Sequence, residues 1–237
     1  MDTIQSTLAA ADWHEVAKNM HQRGFSLIPD VLSDRQCENL KEHYKNPDGY
    51  RKTVVMERHR YGLGEYKYFD YPLPPIIQQL REHLYPHLAP VANQWMEALG
   101  LNTVFPTAHK ELLAQCHAND QRCATALILK YGSGGFNTLH QDLYGAVYFP
   151  IQAALFLSEP GKDYTGGEFV LTEQVPRAQT KAMVLQPGKG DMLIFTTNFR
   201  PVAGSKGYYR ANMKHGVSEV HGGERYTLGI IFHDAST

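Results

Sequence analysis

From about residue 124 to the C-terminus, the chain consists of short β-type runs separated by Gly, Pro and Asp turns, and this pattern limits the possible fold more than any other feature. The candidate strands are, in order, ATALILKY, AVYFPIQAALFLS, GEFVLTE, AMVLQ, DMLIFT, HGVSEV and RYTLGIIF. Strands at this spacing predict a closed barrel or a β-sandwich.

The first part of the chain indicates a helix, a strand and a second helix. Apolar side chains recur at helical spacing over residues 11–23, and Gly24 is predicted to end that helix. The apolar run at 25–29 is predicted to be a short strand. Ser33, with Gln36 three residues later, has the pattern of a capping box and predicts that a second helix begins there.

Two segments before the predicted strands differ from both patterns. Residues 45–72 are the most basic and most aromatic part of the chain, and we predict that they form a mobile lid or a substrate-facing loop. From Pro75 a helical run begins in which Pro86 and Pro90 predict two helices or one broken helix. The following segment, 101–120, is predicted to be irregular.

Length and composition favour one folded domain. The chain has 237 residues, of which 43% are hydrophobic and 20% charged, values typical of a folded protein with one substantial core. We predict a single domain over residues 1–237, with a helical support region and lid at 1–123 and a β-type core at 124–237. A net charge of −1 and an isoelectric point near 6.9 give no overall reason to expect a polyanionic partner.

Cysteine usage and the N-terminal residues indicate an intracellular protein. Cys37, Cys116 and Cys123 are irregularly spaced and form no CxxC pair, so neither a disulfide framework nor a zinc site is predicted. The N-terminal residues lack a basic region followed by an apolar stretch, and no window approaches about 18 apolar residues. We therefore expect a cytoplasmic location and no membrane partner.

The strongest candidate for chemistry is the triplet His140-Gln141-Asp142. Side chains at positions i and i+2 of an extended segment point to one face, so His140 and Asp142 can chelate one metal ion. With a second, distant imidazole they would form a facial triad that leaves positions open for substrate and oxygen and suits Fe(II). The triplet alone is a weak signal, because a capped turn with a surface histidine has the same pattern.

A second cluster lies in the last strands, in the segment KHGVSEVHGGERYTLGIIF. We predict that Gly222-Gly223 forms a hairpin turn that brings His215 and Arg225 into one interior, with Thr227 on the same face as Arg225. A guanidinium and a neighbouring hydroxyl suit a carboxylate, which accepts paired charge-assisted hydrogen bonds. His215 is therefore the candidate third metal ligand, and Arg225 and Thr227 are candidates for binding a carboxylate.

These motifs resemble those of the Fe(II)- and 2-oxoglutarate-dependent oxygenases of the prolyl-hydroxylase type. His140 and Asp142 match the HxD motif, and the segment from His215 to Leu228 matches the terminal signature HxVxxVxxGxRYxL. TGGEFVL and PGKGDMLIF resemble the GGE strand and the Gly-Asp turn that precede this signature. The resemblance implies a mainly β fold with N-terminal helices and a double-stranded β-helix core, which is a cupin-like jelly roll.

A narrower resemblance covers nearly the whole chain. The segments GEYKYFDYPLPP, LHQDLYG, TGGEFVLTEQ and TLGIIFHDA are similar to a bacterial family of 2-oxoglutarate oxygenases that is associated with oxidative repair of damaged DNA. This resemblance implies that an alkylated or otherwise damaged DNA base is a candidate substrate, which the enzyme would demethylate oxidatively.

The resemblance also implies the roles of the site residues. His140, Asp142 and His215 would hold Fe(II), and Arg225 with Thr227 would hold the far carboxylate of 2-oxoglutarate. The expected reaction uses O2 to hydroxylate a C–H bond of an organic substrate, coupled to decarboxylation of 2-oxoglutarate to succinate and CO2. Ascorbate is expected to support turnover in vitro.

The sequence leaves the substrate open. The basic and aromatic stretch at 50–68, with four basic residues downstream, favours nucleic acid, although a solvated Lys/Arg loop has the same composition. The four downstream residues are Arg200, Lys206, Arg210 and Lys214. The residue after Arg225 is not the second arginine that alkylated-base dioxygenases carry. The alternatives are a hydroxylase of a protein side chain, free amino acid or small metabolite, and a non-catalytic cupin-like protein that binds a metal or a carboxylate.

Several polar residues near these motifs have more than one interpretation. Tyr131 could reach the co-substrate or the substrate, or it could be a core tyrosine at the barrel rim. His221 and His233 do not fit the spacing of a third ligand and are expected to lie outside the site. Arg210 and Asn212 are expected on a solvated strand edge, with a substrate-facing position as the alternative.

Overall fold

The computed structural model describes residues 4–237, and the first three residues of the predicted 1–237 domain lie outside the described residues. The helices are α1 (Ile4–Ala9), α2 (Trp13–Arg23), α3 (Asp34–Lys45), α4 (Pro75–Ala98) and α5 (His109–Ala118), with a 3-10 helix at Met56–His59. The strands are β1 (Phe25–Ile28), β2 (Tyr50–Val55), β3 (Gly62–Leu63), β4 (Glu65–Phe69), β5 (Leu127–Tyr131), β6 (Phe136–His140), β7 (Ile151–Phe156), β8 (Tyr164–Gly166), β9 (Phe169–Gln174), β10 (Lys181–Leu185), β11 (Met192–Thr196), β12 (Phe199–Gly204), β13 (Gly207–Val217), β14 (Val220–Gly223) and β15 (Arg225–Ile230).

Helices α2 and α3 form where the sequence predicts them. Helix α2 ends at Gly24, whose N–H donates to the carbonyl of Met20. At the start of α3, the backbone N–H of Ser33 donates to Oε1 of Gln36 at 2.8 Å, and the N–H of Gln36 donates to Oγ of Ser33 at 3.4 Å. These reciprocal bonds are the predicted capping box. Strand β1 lies within the predicted strand at 25–29.

Helix α4 is continuous, so the prediction of two helices or one broken helix is wrong. Pro86 and Pro90 each lack the N–H that would donate to the carbonyl four residues earlier. Both prolines lie on the exposed face of α4, where solvent can bond the freed carbonyls. The opposite face buries Leu84, Leu88 and Trp95, and we infer that this burial outweighs the local cost of the prolines.

Two other segments are more regular than predicted. Helix α5 lies within 101–120, which was expected to be irregular, and it buries Leu112 and Cys116.

Residues 45–72 do not form a loop, because β2 and β4 pair with each other and β4 pairs with β5. In β4, charged and aromatic residues alternate along EYKYF, as they can in a strand. The Tyr and Lys residues made this alternation hard to recognise in a segment that is basic and aromatic throughout. The mobility of this segment stays a prediction.

The strands form two main antiparallel sheets. The major sheet has the order β1-β11-β7-β15-β5-β4-β2, and the minor sheet has the order β10-β9-β13-β6-β3, with β12 paired to β13. One face of the major sheet packs against the helices in a continuous apolar core, and its other face meets the minor sheet across a cavity. The arrangement is mainly β with N-terminal helices, as predicted. The boundary at residue 123 does not separate helices from strands, because β1 to β4 lie before it.

The predicted hairpin between the strands of His215 and Arg225 is wrong. His215 lies on β13 in the minor sheet, whereas Arg225 begins β15 in the major sheet. Strand β14 separates them and pairs with β8. A Cβ at Gly223 would lie 2.0 Å from the carbonyl oxygen of Asp163, so this glycine permits the close approach of β14 to the β8 segment instead of forming a hairpin turn. The chain crosses between the sheets here, and both side chains still face one interior.

No helix within residues 4–237 is both long and apolar enough to span a membrane. The longest of them, α4, carries charged and polar groups along its length.

A buried polar network fastens the C-terminal segment to α4. Arg81 and Asp234 are both fully buried and form an ion pair at 2.9 Å. The carbonyl of Phe232 accepts from Arg81 at 2.9 Å and from Nε2 of His109 at 2.8 Å. Burial, with the nearby charge of Arg81, lowers the pKa of His109 to about 3, so this ring is neutral in the folded protein near neutral pH.

We expect the unfolding free energy of the metal-free protein to fall as the pH decreases below about 6.5, because the unfolded chain takes up a proton at His109 that the folded chain does not. The folded-state pKa is the lower one, so this stabilisation is complete above the unfolded pKa and is lost as the pH falls toward about 3. Urea unfolding between about pH 7.5 and 5.5 measures the slope, which His109→Gln should reduce by up to about 1.4 kcal/mol per pH unit. His14→Gln, on the exposed face of α2, is the control, and equal slopes in His109→Gln and the wild type would contradict the expectation.

Candidate metal centre

Two strands of the minor sheet and the loop after one of them bring three potential metal ligands together. His140 ends β6, Asp142 follows in the loop, and His215 lies opposite His140 in the pairing of β13 with β6. One candidate ligand atom from each residue lies within 4.8 Å of the other two. The ring centroids of the two histidines are 4.2 Å apart. The structure therefore brings together the three residues that the sequence singled out.

A β-bulge shapes this part of the minor sheet. From the pair His215–His140 to the pair Val217–Asn137, β6 advances by three positions and β13 by two. As a result, Asn137 and His140 both line the same cavity. A Cβ at Gly216 would lie 2.7 Å from the carbonyl oxygen of Asn137, so a larger residue at position 216 would force the two strands apart.

Hydrogen bonds orient the potential ligands. The carbonyl oxygen of Thr138 accepts from Nδ1 of His140 at 2.7 Å, which leaves Nε2 of His140 available to a metal. The hydroxyl of Tyr144 donates to Oδ1 of Asp142 at 2.7 Å, and Nε2 of His215 lies 3.2 Å from Oδ2 of the same carboxylate. His140 and Asp142 thus each have one atom held by a neighbouring protein group.

The protonation states of Asp142 and His215 favour a cation. Burial opposes the charge on Asp142, but the hydrogen bond from His215 and the nearby histidine charges outweigh it and hold the pKa of Asp142 well below its usual range. Burial, with repulsion from His140, lowers the pKa of His215. An ionised carboxylate and neutral imidazoles are the forms that bind metals. Two imidazole nitrogens and one carboxylate oxygen fit Fe(II).

The side chain of Gln141 fastens the loop with the ligands to β13. Its Nε2 lies 2.7 Å from the carbonyl oxygen of Met213, 2.7 Å from Oδ1 of Asn212 and 3.0 Å from the carbonyl oxygen of Asn198. Met213 is two residues before His215 on the same strand. Gln141 therefore couples the position of His140 and Asp142 to that of the third potential ligand.

Arg225 brings a buried positive charge to the same cavity. Its side chain is 1% exposed, and Nη1 donates to Oγ1 of Thr227 at 2.7 Å. Within residues 4–237, neither Nε nor Nη2 has a hydrogen-bond partner and no carboxylate pairs with the guanidinium. The rings of Tyr131, Phe156 and Tyr164 lie 5.4 to 5.9 Å from the guanidinium carbon. A guanidinium buried in this way is costly unless an anion neutralises it.

Tyr131 lies in the core and also borders the cavity, and its contact with the co-substrate or the substrate stays a prediction. It is fully buried in β5, directly opposite Arg225 on β15, and its ring packs in the core. Its hydroxyl accepts from Nδ2 of Asn137 at 3.2 Å and lines the cavity. Burial raises the pKa of Tyr131 to about 12, so the hydroxyl remains a hydrogen-bond donor near neutral pH.

The cavity between the two sheets has a volume of about 260 Å³. The minor sheet and its loop contribute the three potential metal ligands, and the major sheet contributes Arg225 and Thr227. Gly229 and Ala154, which are paired on the neighbouring strands β15 and β7, also line the cavity, and the side chain of Leu127 packs over Gly229, where a Cβ would lie 2.7 Å from Cδ2 of Leu127. Most of the remaining wall is apolar, with Leu127, Leu129, Phe169 and Phe195 among its residues.

The other histidines and several basic residues lie outside the site. His221 is exposed on β14, and His233 is buried with its Nδ1 accepting from the N–H of Phe149 at 3.1 Å, so neither joins the cluster, as expected. Arg200 is not available to a phosphate, because it is buried and pairs with Glu173 at 2.6 Å.

The segment of β13 that was predicted to be a solvated edge also has a defined structure. Asn212 is exposed, but its Oδ1 accepts from Gln141, so it supports the loop of the candidate metal centre. Arg210 is exposed and stacks over the ring of Phe199 at 4.4 Å. Both positions are exposed to solvent, but the predicted strand edge is wrong for Asn212, which pairs with Phe199 of β12 on one side and Gln174 of β9 on the other.

Two polar residues of the cavity wall were not predicted from the sequence. Asn137 and Gln152 both line the cavity, the first on β6 and the second on β7. The signal for Gln152 is visible in the sequence, because it is the one amide in the otherwise apolar strand IQAALF. Asn137 has no such signal, since the bulge that turns it inward depends on pairing with β13.

Solved structures define the class of fold. The chain is similar to a prolyl-4-hydroxylase of Pseudomonas putida, with a TM-score of 0.58 and 15% identity over 94% of this chain and 98% of that one. It is also similar to an oxidoreductase of the 2OG-Fe(II) oxygenase family from Burkholderia pseudomallei, with a TM-score of 0.55 and 14% identity over 96% and 95% of the two chains. The fold is that of the 2OG-Fe(II) oxygenases, and the predicted double-stranded β-helix is confirmed.

Sequence comparison defines the family. Residues 64–235 match the model of the family Oxygenase-NA, described as an oxygenase catalysing oxidative methylation of damaged DNA. Uncharacterized protein Rv2227 of Mycobacterium tuberculosis (strain ATCC 25618 / H37Rv) is 45% identical over 191 residues, which cover 78% of this chain and 82% of that protein. The chain belongs to the Oxygenase-NA family, so its prediction as an oxygenase is confirmed.

We expect Gln141→Ala to weaken binding of Mn(II) by roughly tenfold or more, because residues that orient metal ligands typically change affinity by this amount. Gln141→Glu should be worse, since its carboxylate would face three acceptor oxygens at short distance. Isothermal titration measures the affinity, and Gln115→Ala on the exposed face of α5 is the control. Wild-type affinity in Gln141→Glu would contradict the role.

Proposed function

We propose that the protein is an Fe(II)- and 2-oxoglutarate-dependent dioxygenase whose iron is held by His140, Asp142 and His215. Arg225 and Thr227 would hold the far carboxylate of 2-oxoglutarate in the same cavity. The observation that carries the proposal is the buried guanidinium of Arg225, which forms no ion pair within residues 4–237 and shares a cavity with the three converging ligands. A dicarboxylate bound between these groups would neutralise one and ligate a metal at the other.

Iron and 2-oxoglutarate, when bound, would supply oxidation of a C–H bond by O2, coupled to release of succinate and CO2. The protein's residues bind and orient these groups. The hydroxyl of Tyr131 is held protonated beside Arg225 and can donate to an anionic ligand. The apolar wall around them excludes water, which strengthens each charged contact in the cavity.

We propose a damaged nucleic acid base as the substrate, which the enzyme would demethylate oxidatively. The family description supports this choice, and so does the exposed segment that leads to the cavity wall at Tyr61, which we call the rim and define as Arg58, His59, Arg60 and Tyr61. All four rim residues are exposed, Tyr61 lines the cavity, and its ring lies 5.3 Å from that of His59 in a stacked arrangement. Cationic and aromatic side chains of this kind contact phosphates and stack on bases.

We also propose that residues 1–237 form one domain located in the cytoplasm. One apolar cluster includes residues of all five helices and of the major sheet, which supports a single folding unit. The three cysteines are free, which supports a reducing compartment.

We expect His140→Ala, Asp142→Ala and His215→Ala each to abolish stoichiometric iron binding, because each change leaves only two ligands at the centre. Anaerobic titration with Fe(II) measures the binding. His221→Ala, which removes an exposed histidine outside the cavity, is the matched control. Full iron binding by any of the three variants would remove that residue from the proposed site.

We expect Arg225→Ala to raise the KM for 2-oxoglutarate by roughly 30-fold or more while iron affinity changes little, because loss of a buried partner of a carboxylate costs about 2 kcal/mol or more. The assay measures succinate released by the iron-loaded protein at increasing 2-oxoglutarate concentrations. Arg35→Ala, an exposed arginine on α3, is the control. An unchanged KM in Arg225→Ala would contradict the assignment of the carboxylate site.

A further inference from the structure

A single side-chain amide interrupts the apolar wall of the cavity on β7. Gln152 is 3% exposed, and the other residues of β7 that line the cavity, Ala153 and Ala154, are small and apolar. Its Nε2 has no hydrogen-bond partner within residues 4–237. The side chain lines the cavity that also holds the three candidate metal ligands and Arg225.

This amide is unfavourable for the fold by itself. Burying an amide donor without a hydrogen bond costs free energy, whereas an apolar side chain of similar length would pack at the same place without that cost. A buried polar group that stabilises nothing in the protein is therefore a candidate for contact with a ligand. The cavity makes that contact possible, because the side chain borders it.

Strand pairing locates Gln152 relative to the carboxylate site. On β15 and β7, Thr227 lies opposite Phe156, and Gly229 lies opposite Ala154. Gln152 is one further inward-facing position along β7, so it lies about 13 Å along the strand from the level of Thr227. It is also directly opposite Phe195 on β11.

Ring contacts of His215 place the candidate metal centre between the levels of Phe156 and Gln152 on β7, because His215 packs against both Phe169, which contacts Phe156, and Phe195, which pairs with Gln152. The ring of Phe195 packs against that of His215, with centroids 4.9 Å apart. Gln152, opposite Phe195, is therefore close to the candidate metal centre and on the side of the cavity away from Arg225.

The length of 2-oxoglutarate limits what Gln152 can contact. Its four carbon–carbon bonds span at most roughly 6 Å, since each is about 1.5 Å long. With one carboxylate on Arg225 and Thr227, the molecule would end near the level of Gly229, one inward-facing position short of Gln152. The primary substrate, whose oxidised carbon must approach the metal, is the ligand that remains for this amide.

Resting on the proposed function, we propose that Gln152 recognises the primary substrate and that the recognised group is the hydrogen-bonding edge of a nucleobase. A carboxamide presents a donor and an acceptor side by side, and its complement is an acceptor next to a donor. Nucleobase edges offer this pair, which is why glutamine binds adenine in a bidentate manner. The ring of a prolyl residue offers no N–H and cannot form the pair.

The test uses the full chain and an oligonucleotide with one methylated base. The probe is single-stranded DNA that carries N1-methyladenine, whose N6–H and N7 remain available as a donor next to an acceptor, and the readout is formaldehyde. One atom of O2 enters the methyl group and the other enters succinate, after which the hydroxymethyl group leaves as formaldehyde and the base nitrogen regains its free form. A proline-containing peptide serves as the comparison substrate, with hydroxyproline as its product.

The variant is Gln152→Met, which keeps the length of the side chain and removes its hydrogen-bonding groups. We expect kcat/KM for the oligonucleotide to fall roughly tenfold or more, as for loss of paired hydrogen bonds, while the Kd for 2-oxoglutarate on the Mn(II)-loaded protein stays within about twofold. The Tm should not fall, because no hydrogen bond in the protein is lost. Gln79→Met, on the exposed face of α4, is the matched control.

Other results would overturn the inference and would locate the error. A tenfold weaker Kd for 2-oxoglutarate in Gln152→Met would assign the amide to the co-substrate. A lower Tm with unchanged kcat/KM would assign it to the fold. Wild-type turnover of the peptide but not of the oligonucleotide would exclude the nucleobase and leave the dioxygenase intact. Failure of the wild type to bind Mn(II) and 2-oxoglutarate would instead refute the proposed function itself.

Discussion

A positive charge that cannot reach solvent is the constraint around which the cavity is arranged. The guanidinium of Arg225 is held by Thr227 and surrounded by aromatic rings, and no carboxylate within residues 4–237 pairs with it. In such an environment an unpaired charge is unfavourable and a bound anion is strongly favoured. The three candidate ligands lie in the same cavity, so an anion that occupies it is also close to a metal.

The charge and the ligands reach this cavity from opposite sheets. The minor sheet and its loop carry His140, Asp142 and His215, whereas the major sheet carries Arg225. Because each group is fixed in a different sheet, the separation of the sheets sets the distance between the carboxylate site and the metal centre. Gly229 and Ala154, paired on neighbouring strands of the major sheet, line the cavity on the side of the carboxylate site. The two sheets thus define a site for a short ligand that can contact Arg225 at one end and a metal ion at the other.

Much of this arrangement could be predicted from the sequence, because it depends on local patterns. The capping box at Ser33, the alternation in the last strands and the order of His140, Asp142, His215 and Arg225 are all features of short segments. The predictions that failed depend on long-range packing. Pro86 and Pro90 are tolerated because the opposite face of α4 is buried. The segment at 45–72, which was expected to be a loop, contains paired strands because β4 pairs with β5. The hairpin was predicted from Gly222 and Gly223, but Gly223 instead permits a close approach between β14 and the β8 segment.

The most direct test of the account is a crystal structure of the protein grown anaerobically with Mn(II) and 2-oxoglutarate. We predict one metal ion bound by Nε2 of His140, a carboxylate oxygen of Asp142 and Nε2 of His215. We also predict that 2-oxoglutarate chelates that ion, with its far carboxylate on Arg225. A metal bound elsewhere, or a dicarboxylate that leaves Arg225 without an anionic partner, would contradict this prediction.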